Sequence, residues 1–81
     1  MSNLIKKLDL RGVKCPLNFV RAKIALDDSE VGTVLELFID DGEAYDSVPK
    51  SLSEEGHEIV SLSSLDDGTW FLVVRKIHLG N

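Results

Sequence analysis

The chain has one cysteine, two prolines, one tryptophan, one tyrosine and three phenylalanines in its 81 residues. A lone cysteine cannot close an internal disulfide, and no signal-peptide-like apolar segment opens the sequence, so the expected location is a reducing cytoplasm. No apolar run approaches the length of about 20 residues that spans a bilayer, and no membrane association is expected. A basic surplus is missing too: nine Lys and Arg face fourteen Asp and Glu, a net charge of −5. That balance argues against direct nucleic-acid binding, which draws most of its affinity from neutralised phosphates. Gly32, Gly42 and Gly68 are isolated turn residues, so no glycine-rich phosphate loop is present. Two histidines and one cysteine have no ligand spacing of the zinc type, so no metal is expected. Trp70 and Phe71 are adjacent strand residues pointing to opposite faces, which makes them poor base-stacking platforms. A chain this short has little material for a second core, and residues 1–81 are expected to form a single domain.

What remains is an ordinary folded composition, 43% hydrophobic and 28% charged, with clear periodicity. Leu4 to Leu10 reads as a strand carrying Leu8 and Leu10 on one face. Pro16 to about Asp28 reads as a helix with two apolar sets, Leu17, Val20 and Ile24 against Phe19, Ala22 and Leu26. One stripe is enough to pack a helix on a sheet. The surplus is therefore expected to lie mostly under a second helix, with Leu17 and Phe19 as the exposed docking candidates. Thr33 to Ile39 reads as a second strand with Leu35, Leu37 and Ile39 on one face. Pro49 interrupts the next helical stretch, which predicts a short turn at 43–47 and a helix starting near Pro49. Gly56 stops it. His57 to Leu65 is a third strand, with Val60 and Leu62 opposite Ile59 and Ser61. Asp66-Asp67-Gly68 is a hairpin turn, and Trp70 to Ile77 is a fourth strand apolar enough to be central. Residues 78–81 read as a frayed tail. The order predicts an α/β two-layer sandwich, β-α-β-α-β-β, with a mixed four-stranded sheet and both helices on one face. The other face is left uncovered, so Phe38, Trp70 or Phe71 is expected to be partly exposed.

The candidate reactive group is Cys15. A residue before proline is driven away from the α region, and proline is favoured at the first helical position. This predicts Cys15 at the N-cap and Pro16 at N1, with the sulfur facing the unpaired amides and positive dipole end of the helix. Such a site stabilises a thiolate. Lys14, Arg11, Arg21 and Lys23 add positive charge if they reach it, and a basic zone would favour an anionic ligand or an acidic partner surface. The alternatives are a small buried hydrophobe at Cys15 and solvated, partnerless charges. Asp41 and Asp46 read as turn and capping residues rather than an acid/base pair, and His57 as structural.

The run Leu8-Asp9-Leu10-Arg11-Gly12-Val13-Lys14-Cys15-Pro16 resembles the opening signature of the TusA/SirA family of small sulfur carriers. The resemblance continues through Asp40-Asp41-Gly42-Glu43-Ala44, Asp46-Ser47-Val48-Pro49, Gly56-His57-Glu58 and Val74-Arg75-Lys76. It implies a sulfurtransferase-type carrier without a dissociable cofactor, in which Cys15 accepts sulfur as a covalent persulfide. The sulfur is then relayed to an acceptor protein, in tRNA thiolation, sulfur metabolism or regulation. The implied partners are a cysteine desulfurase or relay protein; the sequence itself leaves a monomer or a weak dimer through the uncovered sheet face or edge as the expected state. Lys14, Pro16, Asn18 and Arg11 would form the surroundings of the thiolate, and Leu17, Phe19 and Arg21 the docking surface. The pattern departs from the family's Cys-Pro-x-Pro at Asn18, which stands where a second proline belongs. Asn18 restores a backbone donor at N3, where it can either hydrogen-bond the thiolate or cost the loop its pre-set geometry. Asp41-Gly42 likewise replaces an Asp-Pro pair. The competing reading is a non-catalytic binding or regulatory module with Cys15 as a redox-sensing or structural thiol.

Overall fold

A computed structural model describes residues 4–77. The strands are β1 (Ile5–Asp9), β2 (Val34–Ile39), β3 (Glu58–Ser64) and β4 (Trp70–Arg75), and the helices are α1 (Leu17–Asp27) and α2 (Glu43–Glu54). The sheet order is β1-β2-β4-β3. β1 runs parallel to β2, while β4 is antiparallel to both β2 and β3. The expected mixed sheet, central β4 and uncovered second face are all present. The expected tail at 78–81 lies outside the described residues. None of the described helices is long and apolar enough to cross a membrane.

Alternation in β2 builds the core. Leu35, Leu37 and Ile39 are fully buried, and their β4 neighbours Leu72 and Val74 continue the same layer. Ala22 and Leu26 of α1 and Ala44, Val48 and Leu52 of α2 close over them. The four-residue spacing of the α2 set gives one buried stripe. That stripe explains a departure from expectation: α2 is continuous from Glu43, with Pro49 inside it. Pro49 cannot donate to the carbonyl of Tyr45 one turn back. The burial of Ala44 and Val48 before it and Leu52 after it holds both halves on the sheet.

Two further expectations are corrected. The stripe on α1 that meets the sheet is Asn18, Ala22 and Leu26, and α2 does not cover the other one. Leu17, Val20 and Ile24 stand 48%, 39% and 60% exposed, whereas Phe19 is half-buried and packs against the core. In β3, a bulge between Ile59 and Ser61 changes which residues face inward. An inserted residue shifts the alternation by one, so Ile59 and Leu62 pack on the core and Val60 faces solvent.

On the open face Phe38 and Phe71 pair across β2 and β4 with ring centroids 5.2 Å apart. Trp70 lies on the helix side instead, 4.3 Å from the Tyr45 ring. The C-terminal end of α1, which has no basic residue in its own last turn, receives two lysines from the sheet. Lys76 is 3% exposed and its Nζ donates to the carbonyls of Leu26 (2.7 Å) and Ser29 (2.9 Å). Lys6 Nζ donates to Asp28 O at 3.3 Å. Both charges complement the negative end of the helix dipole.

Candidate functional site

The β1–α1 connection is short and held at several points. Leu10 donates to the carbonyl of Phe38 on β2 at 2.8 Å, and Val13 closes a turn onto Leu10 O at 3.0 Å. Gly12 sits inside that turn at φ +82, a conformation that side chains rarely adopt. Its N–H donates to the Asp40 carboxylate at 2.9 Å, across 28 residues of sequence. Val13 then packs against the core, which turns the next three residues, Lys14, Cys15 and Pro16, out into solvent. Cys15 is exposed, which removes the packed-thiol alternative.

The helix begins one residue later than the proline argument predicts. Pro16 is the N-cap, at φ −93 and ψ 6, and Cys15 precedes it. A ψ near zero keeps Pro16 outside the helical well, so Leu17 becomes the first helical residue. The first-turn amides are also more occupied than expected. The restored donor at Asn18 bonds the carbonyl of Lys14 at 3.2 Å, and Val20 bonds Pro16 O at 3.0 Å. Phe19 donates to the side-chain oxygen of Asn18 at 2.6 Å. Pro16 has no N–H, so Leu17 is the first-turn amide that these bonds leave unengaged. Asn18 therefore anchors the loop from the helix side, and its own side chain is 1% exposed.

Cys15 opens onto a pocket of about 290 Å³ lined by Val13, Lys14, Cys15, Asn18, Asp40, Asp41, Glu43 and Ala44. Its walls carry three carboxylates and one lysine. The basic zone expected from the sequence is largely dispersed. Arg11 grips Asp9 through Nε–Oδ1 (2.9 Å) and Nη2–Oδ2 (2.8 Å) and reaches Asp67 at 3.4 Å. Its guanidinium also lies 4.9 Å from the Phe38 ring centroid, on the open sheet face. Lys23 bridges Asp27 and Glu55. Lys14 remains at the pocket, and Arg21 is exposed on α1 beside the Leu17–Val20–Ile24 stripe. The buried His57 is not among the lining residues. Asp41 does not cap α2, whose N-cap is Gly42 without a side-chain bond; it accepts from the Trp70 indole at 3.0 Å.

These hydrogen bonds set the acid behaviour of the surface. The Arg11 side chain and then its backbone N–H hold the Asp9 carboxyl down from 3.8 to about 2. The Trp70 indole and the Gly42 amide lower Asp41, and the Thr69 hydroxyl and amide lower Asp67. Each carboxylate is ionised more readily folded than unfolded. Their contribution is therefore complete above the unfolded value of about 3.8 and is lost as pH falls below it, for Asp9 toward about 2. Thermal midpoints should accordingly be flat down to about pH 4 and decline below it. An NMR titration of the Asp9 carboxyl carbon should give a midpoint near 2; a midpoint at 3.8 would show that the Arg11 contact is not held in solution.

Comparison with known proteins agrees with this architecture. A family profile described as sulfurtransferase TusA matches residues 6–76. A candidate sulfur carrier protein of Archaeoglobus fulgidus is 35% identical over 69 residues, covering 85% of this chain and 78% of the relative. The candidate sulfur carrier protein TsuB of Escherichia coli is 34% identical over 73 residues, covering 90% of this chain and 97% of the relative. The crystal structure of a SirA-like protein from Desulfitobacterium hafniense superposes with a TM-score of 0.77 at 24% identity, covering 93% of this chain and all of the other.

Proposed function

Because the chain belongs to the TusA sulfurtransferase family, we propose that it works as a sulfur carrier whose Cys15 takes up a sulfane sulfur and hands it to another protein. The Cys15 thiolate attacks the outer sulfur of a donor cysteine persulfide. A new S–S bond forms at Cys15, the donor's S–S bond breaks, and the donor leaves as a thiolate, so no outside oxidant or reductant is consumed. An acceptor cysteine thiolate then repeats the exchange on the Cys15 persulfide. The observation that carries this reading is the exposure of the only cysteine at the turn before α1. Thiol exchange between two proteins needs access from outside, not an enclosed substrate cavity. Lys14 is the cation at hand for the sulfur anion, and the positive end of α1 adds to it.

The exposed stripe of Leu17, Val20 and Ile24, flanked by Arg21, supports a docking role for the face of α1 next to Cys15. Apolar side chains left uncovered beside the Cys15 turn suit a donor or acceptor that brings its own cysteine on an apolar surface. The test is intact-mass spectrometry after incubation with a cysteine desulfurase and cysteine. The protein should gain one sulfur atom per chain and lose it on reduction. An unchanged mass beside a desulfurase that is active on its own cysteine substrate would overturn the reading.

A further inference from the structure

We propose that Asp40 is a positioning residue for Cys15, fixing the cysteine loop through the Gly12 amide rather than acting by its charge. The inference rests on the carrier reading of Cys15 and adds to it the group that sets where the loop stands. Asp40 follows the last residue of β2, at the strand end beside the β1–α1 connection. Its Oδ2 accepts the Gly12 N–H at 2.9 Å. On the other side of Cys15, Asn18 N–H holds the Lys14 carbonyl at 3.2 Å. The exposed Cys15 is thus bracketed by one tether to the sheet and one to α1.

Asp40 lines the same pocket as Cys15, together with Asp41 and Glu43, so its negative charge offers a sulfur anion no support. A residue selected only for the electrostatics of a sulfur anion would not be acidic here. A carboxylate does suit an exposed amide, since charge-assisted hydrogen bonds are shorter and stronger than neutral ones. The tether accounts for an acid at this spot. Gly12 sharpens the case: at φ +82 it is held in a conformation that an untethered loop need not keep.

Two near-isosteric substitutions separate position from charge. Asp40→Asn keeps an acceptor in place and removes the charge; Asp40→Glu keeps the charge and moves the acceptor by a methylene. If Asp40 is a tether, the Asn variant, whose neutral acceptor bonds more weakly, loses less than fivefold of the hydrogen-exchange protection of the Gly12 amide and takes up sulfur within twofold of wild type. The Glu variant loses at least tenfold of that protection and slows five- to tenfold in sulfur uptake from the desulfurase. Unchanged Gly12 protection in the Glu variant, or equal uptake by the two variants, would overturn the proposal. Should wild-type protein accept no sulfur, the carrier reading fails by itself. Gly12 exchange still judges the tether.

Discussion

Cys15→Ser protein is expected to take up no sulfur from a persulfide donor and to remain as stable as wild type. The side chain is exposed and carries no core packing, so the substitution should change stability by no more than about 0.5 kcal/mol. Its chemical effect is total. A serine hydroxyl is not ionised at neutral pH, and an oxygen in place of sulfur cannot form the S–S bond that carries the cargo. The chain has no second cysteine to take over. Intact-mass spectra should therefore show no adduct in the variant under conditions that load wild type, with matching thermal midpoints. A one-sulfur adduct on the variant would place the cargo elsewhere and end the proposal for Cys15.

The largest stability loss from a single polar side chain is expected at Lys76. Its ammonium is buried and donates to Leu26 O and Ser29 O at the end of α1. Lys76→Met fills similar space and avoids the desolvation cost of a buried cation. The carbonyls are the deciding factor. Leu26 O keeps the Ser29 N–H at 3.0 Å, but the part-buried Ser29 carbonyl loses its lysine donor, which costs about 1 kcal/mol, the low end for an acceptor left without its partner. Losing a cation at the negative end of the helix adds about 0.3–1 kcal/mol. The net expectation is a loss of about 1–2 kcal/mol. At roughly 4–8 °C per kcal/mol for a domain of this size, the midpoint should fall by roughly 5–15 °C. Urea unfolding should show the same loss with an unchanged slope. A variant as stable as wild type would mean that relief from desolvation offsets the orphaned carbonyl.

Much of this structure can be read from local pattern. The alternation of Leu35, Leu37 and Ile39 sets the core face of β2, the unbroken apolar run after Trp70 makes β4 central, and Asp66-Asp67-Gly68 closes the hairpin. The misreadings arise where a non-local term outweighs a local preference. Pro49 argues for a helix break, but the burial of Ala44, Val48 and Leu52 carries α2 through it. The bulge at Ile59/Ser61 reverses the inward face of β3, and no residue type there signals it. On α1 two apolar stripes compete, and the one carrying the polar Asn18 faces the sheet.

The exposed turn at Cys15 is legible in the sequence, its surroundings less so. Position in sequence suggested that Arg11 would serve the sulfur, yet Asp9, two residues before it, offers both carboxylate oxygens to its guanidinium and keeps it on the other face. Asp40 reads as an ordinary turn residue in the run Asp40-Asp41-Gly42. Its partner Gly12 lies on a different connection, and only the parallel pairing of β1 with β2 brings them together. Local pattern cannot reveal a contact that depends on that topology.

The irregularity in β3 matters beyond side-chain bookkeeping. β3 forms one border of the sheet, and a straight border strand invites another polypeptide to extend the ladder. Here the extra residue bends the backbone, and Ser61, Ser63 and Ser64 line the rim with hydroxyl groups instead of grease. An incoming strand would meet an uneven row of donors and acceptors with little apolar surface to reward docking. That border is thereby a poor template for strand addition, at the opposite side of the sheet from β1, whose connection to α1 carries Cys15.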